Sequence, residues 1–101
     1  MTDTEINEAV AKKLGYWKNE MIPGRVTYTK GPNTVAPTPD FCNSMEAAWE
    51  LVEKMEWFCI EKDHNTGAWS VWDMAGTEEA TLICNADTAS MAICLAFLKF
   101  P

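Results

Sequence analysis

The segment at residues 88–100, TASMAICLAFLKF, constrains the fold of this chain more than any other. It opens on a threonine, a common helix N-cap, and apolar side chains then occur on every side of the helical wheel for three turns. Beyond that threonine, only Ser90 and Lys99 are polar. Because a surface helix keeps one wet side, we predict that this helix is buried between layers or in an oligomer interface.

Two further helices are indicated by capping signals that precede an apolar stripe. Thr2 and Glu5 have the spacing of a capping box, and a helix is predicted near residues 3–14, where Gly15 ends it. Residues 43–46 repeat that form and predict a helix near residues 44–55. Its apolar arc lies opposite Glu46, Glu50 and Glu53, with Trp49 on the border.

Three β-prone runs come next, near residues 57–62, 68–74 and 80–85, with turn signals at residues 63–67 and 75–77. This spacing predicts an antiparallel meander. Its strands carry large apolar groups on both faces, so we expect both faces to be covered. The fold class is therefore α+β: a single domain over residues 1–101, built as a three-layer α/β/α sandwich with a small, mainly antiparallel sheet and helices near 3–14, 44–55 and 88–99.

The segment at residues 16–41 has the weakest pattern in the chain. Pro23-Gly24 signals a turn and residues 25–29 are β-prone, whereas Pro32, Pro37 and Pro39 disfavour any regular element in the rest of the segment. We predict an irregular segment with at most one short strand. Two roles stay open for it: a cover over the core, or a loop that binds a partner.

Charge excludes several function classes. The net charge is −7 and Arg25 is the only arginine, so the chain lacks the basic stripe of a duplex nucleic-acid binder, and it is unsuited to anionic membranes. No run reaches the length of a membrane span, and the acidic N-terminus does not resemble a signal peptide. We expect a cytoplasmic protein whose four cysteines are reduced core residues.

Catalytic and metal signals are weak. His64 beside Asp63 has no candidate nucleophile or second histidine to work with, and it is expected to be a solvated turn residue. The carboxylates at Glu46, Glu50 and Glu53 have the spacing of a solvent-exposed helix face. No phosphate-binding glycine loop or calcium-loop ligand series is present. We therefore expect no enzymatic activity, no cofactor and no metal site.

Two segments resemble a known family. Residues 39–54, PDFCNSMEAAWELVEK, resemble a "PD(Y/F)-short polar-AAWxVVEK" segment, and residues 86–99, ADTASMAICLAFLK, resemble an "AxTAPLAICxAALK" ending. Residues 11–17, AKKLGYW, are similar to an "AEKVMGW" opening. Together they resemble the phage ABA-sandwich domain family, except that Ser90 stands where proline is expected. The resemblance implies an α/β/α fold and a phage context, and it carries over no reaction or catalytic residue. The matching apolar positions, Trp49 among them, are interpreted as packing.

The functional prediction rests on aromatic and basic residues of the irregular segment. Trp, Tyr and Arg anchor interfaces, and the candidate contact residues are Tyr16, Trp17, Arg25, Tyr28 and Lys30. The first hypothesis is a non-enzymatic phage or prophage accessory protein that binds a host or viral protein. The alternative is a small-molecule binder that sequesters a nucleotide-type defence signal, through Arg25 with Tyr28 and Trp17. A structural virion component is also open. A homodimer through Ile93, Phe97 or the neighbouring helix surface is expected.

Overall fold

The computed structural model describes residues 1–56, 58–74 and 81–100. These residues form a mixed α+β domain with three helices and two antiparallel sheets, consistent with the predicted α/β/α sandwich. The elements in chain order are α1 (Asp3–Lys13), β1 (Trp17–Ile22), β2 (Arg25–Thr29), α2 (Met45–Val52), β3 (Phe58–Lys62), β4 (Trp69–Asp73), β5 (Thr81–Ala86) and α3 (Ala89–Lys99). The predicted boundaries of the helices and meander strands lie within three residues of these, apart from positions 57 and 80, which fall outside the described residues.

Helix α3 is the centre of the domain. It packs on β4 and β5 and also on α1 and α2, which confirms the prediction of a helix buried between layers. Ile93 is 1% exposed and Phe97 5% exposed within a single chain. Neither side chain is accessible to a second copy, so a homodimer contact would have to use the neighbouring helix surface, and that part of the expectation stays a prediction. Neither α3 nor any other helix in the described ranges is long and apolar enough to cross a bilayer.

Helix α1 is fixed at both ends by the residues that predicted it. The hydroxyl of Thr2 accepts from the backbone N–H of Glu5, and the Glu5 carboxylate accepts from the N–H of Thr2. At the other end, the Lys13 ammonium donates to the carbonyl oxygens of Phe97 and Phe100. A cation at the carbonyl end of α3 is favourable for the helix dipole, so this contact ties α1 to α3.

Helix α2 is shorter than predicted. Its N-cap is Ser44, whose hydroxyl accepts from the N–H of Ala47, and the helix ends at Val52. The chain then continues as turns, in which the N–H of Met55 donates to the carbonyls of Leu51 and Val52 at 3.2 and 3.3 Å. Met55 reaches the core from outside the helix, which explains why its apolar pattern extended the predicted helix too far.

The meander has strand order β3-β4-β5, with all pairs antiparallel. The predicted turn at residues 63–67 is confirmed: the N–H of Gly67 donates to the Asp63 carbonyl at 2.7 Å, and Gly67 has a φ of 76°. The predicted turn at residues 75–77 lies outside the described residues. Val71 and Cys84 are buried on one face, and α3 packs on their strands.

The opposite face of the meander carries a cross-strand row of Cys59, Trp72 and Leu82. Cys59 and Leu82 are exposed. The expectation that both faces are covered therefore holds, within the described part of the chain, only for the face that carries Val71.

Residues 17–29 form a β-hairpin, so the prediction of at most one short strand in this segment is wrong. Trp17 pairs with Thr29 and Asn19 with Thr27, and the register then shifts before Ile22 pairs with Arg25. Pro23-Gly24 makes the turn, and Gly24 has a φ of 81°, a conformation that glycine adopts without strain. Residues 18–20 are all polar, and the one buried side chain of β1 is that of Asn19. The strand therefore lacks the alternation of polar and apolar side chains by which a strand is predicted from sequence.

Residues 30–38, here called the strap, have no helix or strand and pack against the hairpin. The buried Asn19 side chain anchors the strap: its amide donates to the Gly31 carbonyl at 3.4 Å and to the Thr29 hydroxyl at 2.7 Å. Its carbonyl oxygen accepts from the N–H of Thr34 at 3.4 Å. Farther along, the Thr38 hydroxyl accepts from the N–H of Tyr28 at 3.0 Å. The strap therefore lies along β2 and leaves grooves at its sides.

Candidate interaction surfaces

Tyr16 and Lys30, two of the predicted contact residues, meet the same carboxylate. The Tyr16 hydroxyl lies 3.0 and 2.9 Å from the two carboxylate oxygens of Glu50, to which it donates. The Lys30 ammonium lies 3.5 Å from the same carboxylate. Glu50 is on α2, so these contacts join the open end of the hairpin to that helix. Both side chains line a groove of about 400 Å³ between the strap and α2.

Burial and the Glu50 carboxylate both act on the Tyr16 hydroxyl. Burial is the larger effect and raises the pKa of Tyr16 well above its ordinary value of 10.0, and the hydrogen bond and the negative charge of Glu50 raise it further. The neutral phenol is therefore the form that the folded state favours. Stabilisation from this contact is present below about pH 10 and is lost as the pH rises above it.

We expect Tyr16→Phe to lower the free energy of unfolding by about 1 kcal/mol at neutral pH, because it deletes one hydrogen bond to a charged group that water partly reaches. The variant should also lose less stability than the wild type between about pH 9 and 11. Urea unfolding across this range measures both effects. Tyr28→Phe is the matched control, since the Tyr28 hydroxyl makes no hydrogen bond among the described residues. Equal alkaline slopes for Tyr16→Phe and the wild type would contradict the assignment.

Tyr28 is a core residue. It is 6% exposed, and the Lys12 ammonium lies 5.5 Å from the centre of its ring. Trp17, by contrast, is exposed at the start of β1, opposite Thr29. Since Tyr28 has no free ring face, the structure does not bring Trp17, Tyr28 and Arg25 together around a stacked ligand.

Arg25 lies at the turn end of the hairpin, in a second groove. This groove, here called the tip groove, has a volume of about 400 Å³ and is lined by Met21, Ile22, Arg25, Thr27, Thr34, Val35, Ala36 and Pro37. Its walls are aliphatic apart from the guanidinium and two hydroxyls. No carboxylate lies within salt-bridge distance of Arg25 in the described part of the chain. An exposed, unpaired guanidinium beside an aliphatic wall fits an anionic group attached to an apolar one.

A third surface was not predicted. On α2, Trp49 is 57% exposed and Met45, one turn before it, is 43% exposed. Glu46 and Glu53 are exposed on the same side of the helix. Here these four residues are called the α2 surface. Exposed apolar patches with a polar rim are typical of binding surfaces, and a tryptophan between two carboxylates has this composition.

The remaining chemistry-bearing side chains are dispersed. The four cysteines are free, and burial raises the pKa of the Cys42, Cys84 and Cys94 thiols, which disfavours their reactive thiolate form. His64 is exposed in the turn before β4. Among the described residues, no group of three His, Cys, Asp or Glu side chains is placed to hold a metal ion.

A family model described as the phage ABA sandwich domain matches residues 8–98. The chain belongs to the phage ABA sandwich domain family. The match confirms the resemblance that residues 39–54 and 86–99 carry. No curated protein matches the chain.

Among solved structures, the chain is similar to a phage protein from Bacillus cereus ATCC 14579, whose crystal structure was determined at 2.0 Å. The two share 25% sequence identity and superpose with a TM-score of 0.67, over 97% of this chain and 90% of the other. The similar solved structure therefore agrees with the family match in both the fold and the phage context.

Within the family-like segment at residues 39–54, the structure separates packing positions from surface positions. Ala48 is buried, as the interpretation of the matching apolar positions required, whereas Trp49 is not. The signal that could have found it is its place at the edge of the helical apolar arc, next to Glu53 on the wheel. The interpretation of Trp49 as a packing residue is therefore wrong.

Proposed function

We propose that this phage protein is a non-enzymatic interaction module that binds a basic host or viral protein in the host cytoplasm through the α2 surface. The observation that carries the proposal is the 57% exposure of Trp49 on α2, beside Met45, which is also exposed. Tryptophan is the residue type most enriched among those that dominate binding energy.

The neighbours of Trp49 support a binding role. Met45 extends the apolar patch along the helix, and a flexible thioether adapts to irregular partner surfaces. Helix α2 is held in place by its Ser44 cap and by the contacts of Glu50 with Tyr16 and Lys30. The patch is therefore presented on a rigid support, which lowers the conformational entropy lost on binding.

Charge specifies the kind of partner. Glu46 and Glu53 flank the apolar patch, and the whole chain has a net charge of −7. A positively charged partner gains from this field in the rate of association and in orientation. Host proteins that bind nucleic acid present such basic surfaces. An acidic domain seated on one of them would occlude it, which is an action suited to a phage accessory protein.

We expect Trp49→Ala to weaken partner binding by about 30- to 100-fold, which corresponds to about 2–3 kcal/mol for the loss of a buried aromatic anchor. The tagged wild type would be used to capture proteins from a bacterial lysate, and the affinity of each purified candidate would then be measured by calorimetry. Because Trp49 is exposed, circular dichroism and urea unfolding should show an unchanged fold.

Leu82→Ala is the matched control, since Leu82 is an exposed apolar residue on the far face of the meander. It should leave the affinity within about twofold of the wild type. Glu46→Gln combined with Glu53→Gln should weaken the salt dependence of association. A partner that binds Trp49→Ala and Leu82→Ala equally well would refute the proposed surface, and so would a captured partner that is acidic.

A further inference from the structure

The charges of this acidic protein are unevenly distributed. Within the hairpin, Lys18 and Arg25 stand against Glu20 alone, whereas the α2 surface has two carboxylates and no basic group. The hairpin therefore has a net positive charge, opposite in sign to the α2 surface and to the chain as a whole. Two surfaces of opposite sign on one chain can bind each other across two copies.

The tip groove is suited to a protein occupant. Its aliphatic walls are formed by Met21, Ile22 and Val35, and all three side chains are exposed. A small ligand there would stay largely in contact with water, whereas small-molecule sites bury most of their ligand. Arg25, unpaired among the described residues, adds one positive charge at the edge of the groove.

The α2 surface has the complementary chemistry. Trp49 and Met45 supply apolar side chains for an aliphatic groove, and the carboxylates of Glu46 and Glu53 lie one turn before and one turn after Trp49. Arg25 can form a bidentate pair with such a carboxylate. If the α2 surface docked in the tip groove, its apolar side chains would contact the aliphatic wall while a carboxylate of the α2 surface paired with Arg25.

The two surfaces do not meet within one chain. The residues that line the tip groove come from the hairpin and the strap, and none comes from α2. Arg25 lies four residues from Thr29, the end of the hairpin that approaches α2, which places it about 13 Å farther along the strand. Trp49 is accordingly exposed. An α2 surface that filled the groove would therefore have to belong to another molecule.

We infer that the tip groove of one copy receives the α2 surface of a second copy, with Arg25 paired to Glu46 or Glu53 and Trp49 seated against the aliphatic wall. Such self-association covers the surface assigned above to a basic partner, so the second copy and that partner compete for it. The inference extends the proposed function but is tested without any partner.

The test is charge reversal followed by mixing. The wild type should form dimers or larger species as its concentration rises through the micromolar range in sedimentation equilibrium at low salt. Arg25→Glu should weaken this association by about tenfold or more, and so should Glu46→Lys combined with Glu53→Lys. An equimolar mixture of the two charge-reversed proteins should regain association, because only in the mixture does each groove meet an α2 surface of opposite charge.

Lys18→Glu is the matched control. It makes the same change in net charge on the same hairpin, but Lys18 pairs with Tyr28 on the other face and does not line the groove. It should associate like the wild type. Three results would each overturn the inference. The wild type could stay monomeric, Lys18→Glu and Arg25→Glu could have equal effects, or the mixture of folded variants could show no recovery. None of these results would affect the partner measurements on Trp49→Ala.

Discussion

Replacing Phe41 by alanine should lower the free energy of unfolding by about 3–5 kcal/mol, the largest effect that we expect from a single substitution. Phe41 has no exposed surface and is the largest fully buried side chain among the described residues. It lies between the strap and α2, where its ring centre is 6.1 Å from that of Tyr16. The alanine variant leaves a cavity where the hairpin, the strap and α2 meet.

The loss should be measured by urea unfolding followed by tryptophan fluorescence. Leu82→Ala, which truncates an exposed side chain, is expected to cost less than about 1 kcal/mol. An unchanged m-value would show that the two variants unfold from the same compact state. A cost for Phe41→Ala no greater than that of Leu82→Ala would show that this junction is not part of the core.

The second large effect is expected from Asn19→Ala. The buried Asn19 amide donates to the carbonyl oxygen of Trp17 as well as to Thr29 and Gly31, and its oxygen accepts from the N–H of Thr34. Alanine leaves several of these polar groups without a partner, so we expect a loss of about 2–3 kcal/mol. The strap should also become mobile, because its main anchor to the hairpin is removed.

Two measurements separate these consequences. Urea unfolding gives the change in stability, and hydrogen exchange should show lower protection in residues 30–38 with little change in α3. Asn85→Ala, which alters an exposed asparagine on β5, is the control and should change neither. Uniform loss of protection across the whole domain would indicate that Asn19 stabilises the core generally and does not specifically hold the strap.

The helices and the meander could be predicted from the sequence because their signals are local. Thr2, Ser44 and Thr88 each accept a hydrogen bond at a helix start, and each precedes an apolar pattern of helical period. Strand β1 could not be predicted in this way, because residues 18–20 are all polar and its one buried side chain is that of Asn19, so the strand lacks the alternation that identifies a strand.

The candidate site was harder to predict, for a geometric reason. Arg25 and Tyr28 are close in sequence, but they are three positions apart on one strand and so point to opposite faces. One face turns Tyr28 into the core, and the other leaves Arg25 at the tip groove. Trp49 posed the reverse difficulty, since an aromatic residue at the edge of a helical apolar arc is compatible with either burial or exposure.

The central position of α3 determines how this chain must fold. The meander, α1 and α2 all pack against α3, and Lys13 on α1 reaches the carbonyl of Phe97, 84 residues along the chain. Closing so long a loop costs entropy before any contact compensates for it, so folding is expected to be slow for a domain of this size. The elements that precede residue 89 have no complete core among themselves. Folding should therefore be a single cooperative step, with α3 docking in the same event that forms the two sheets.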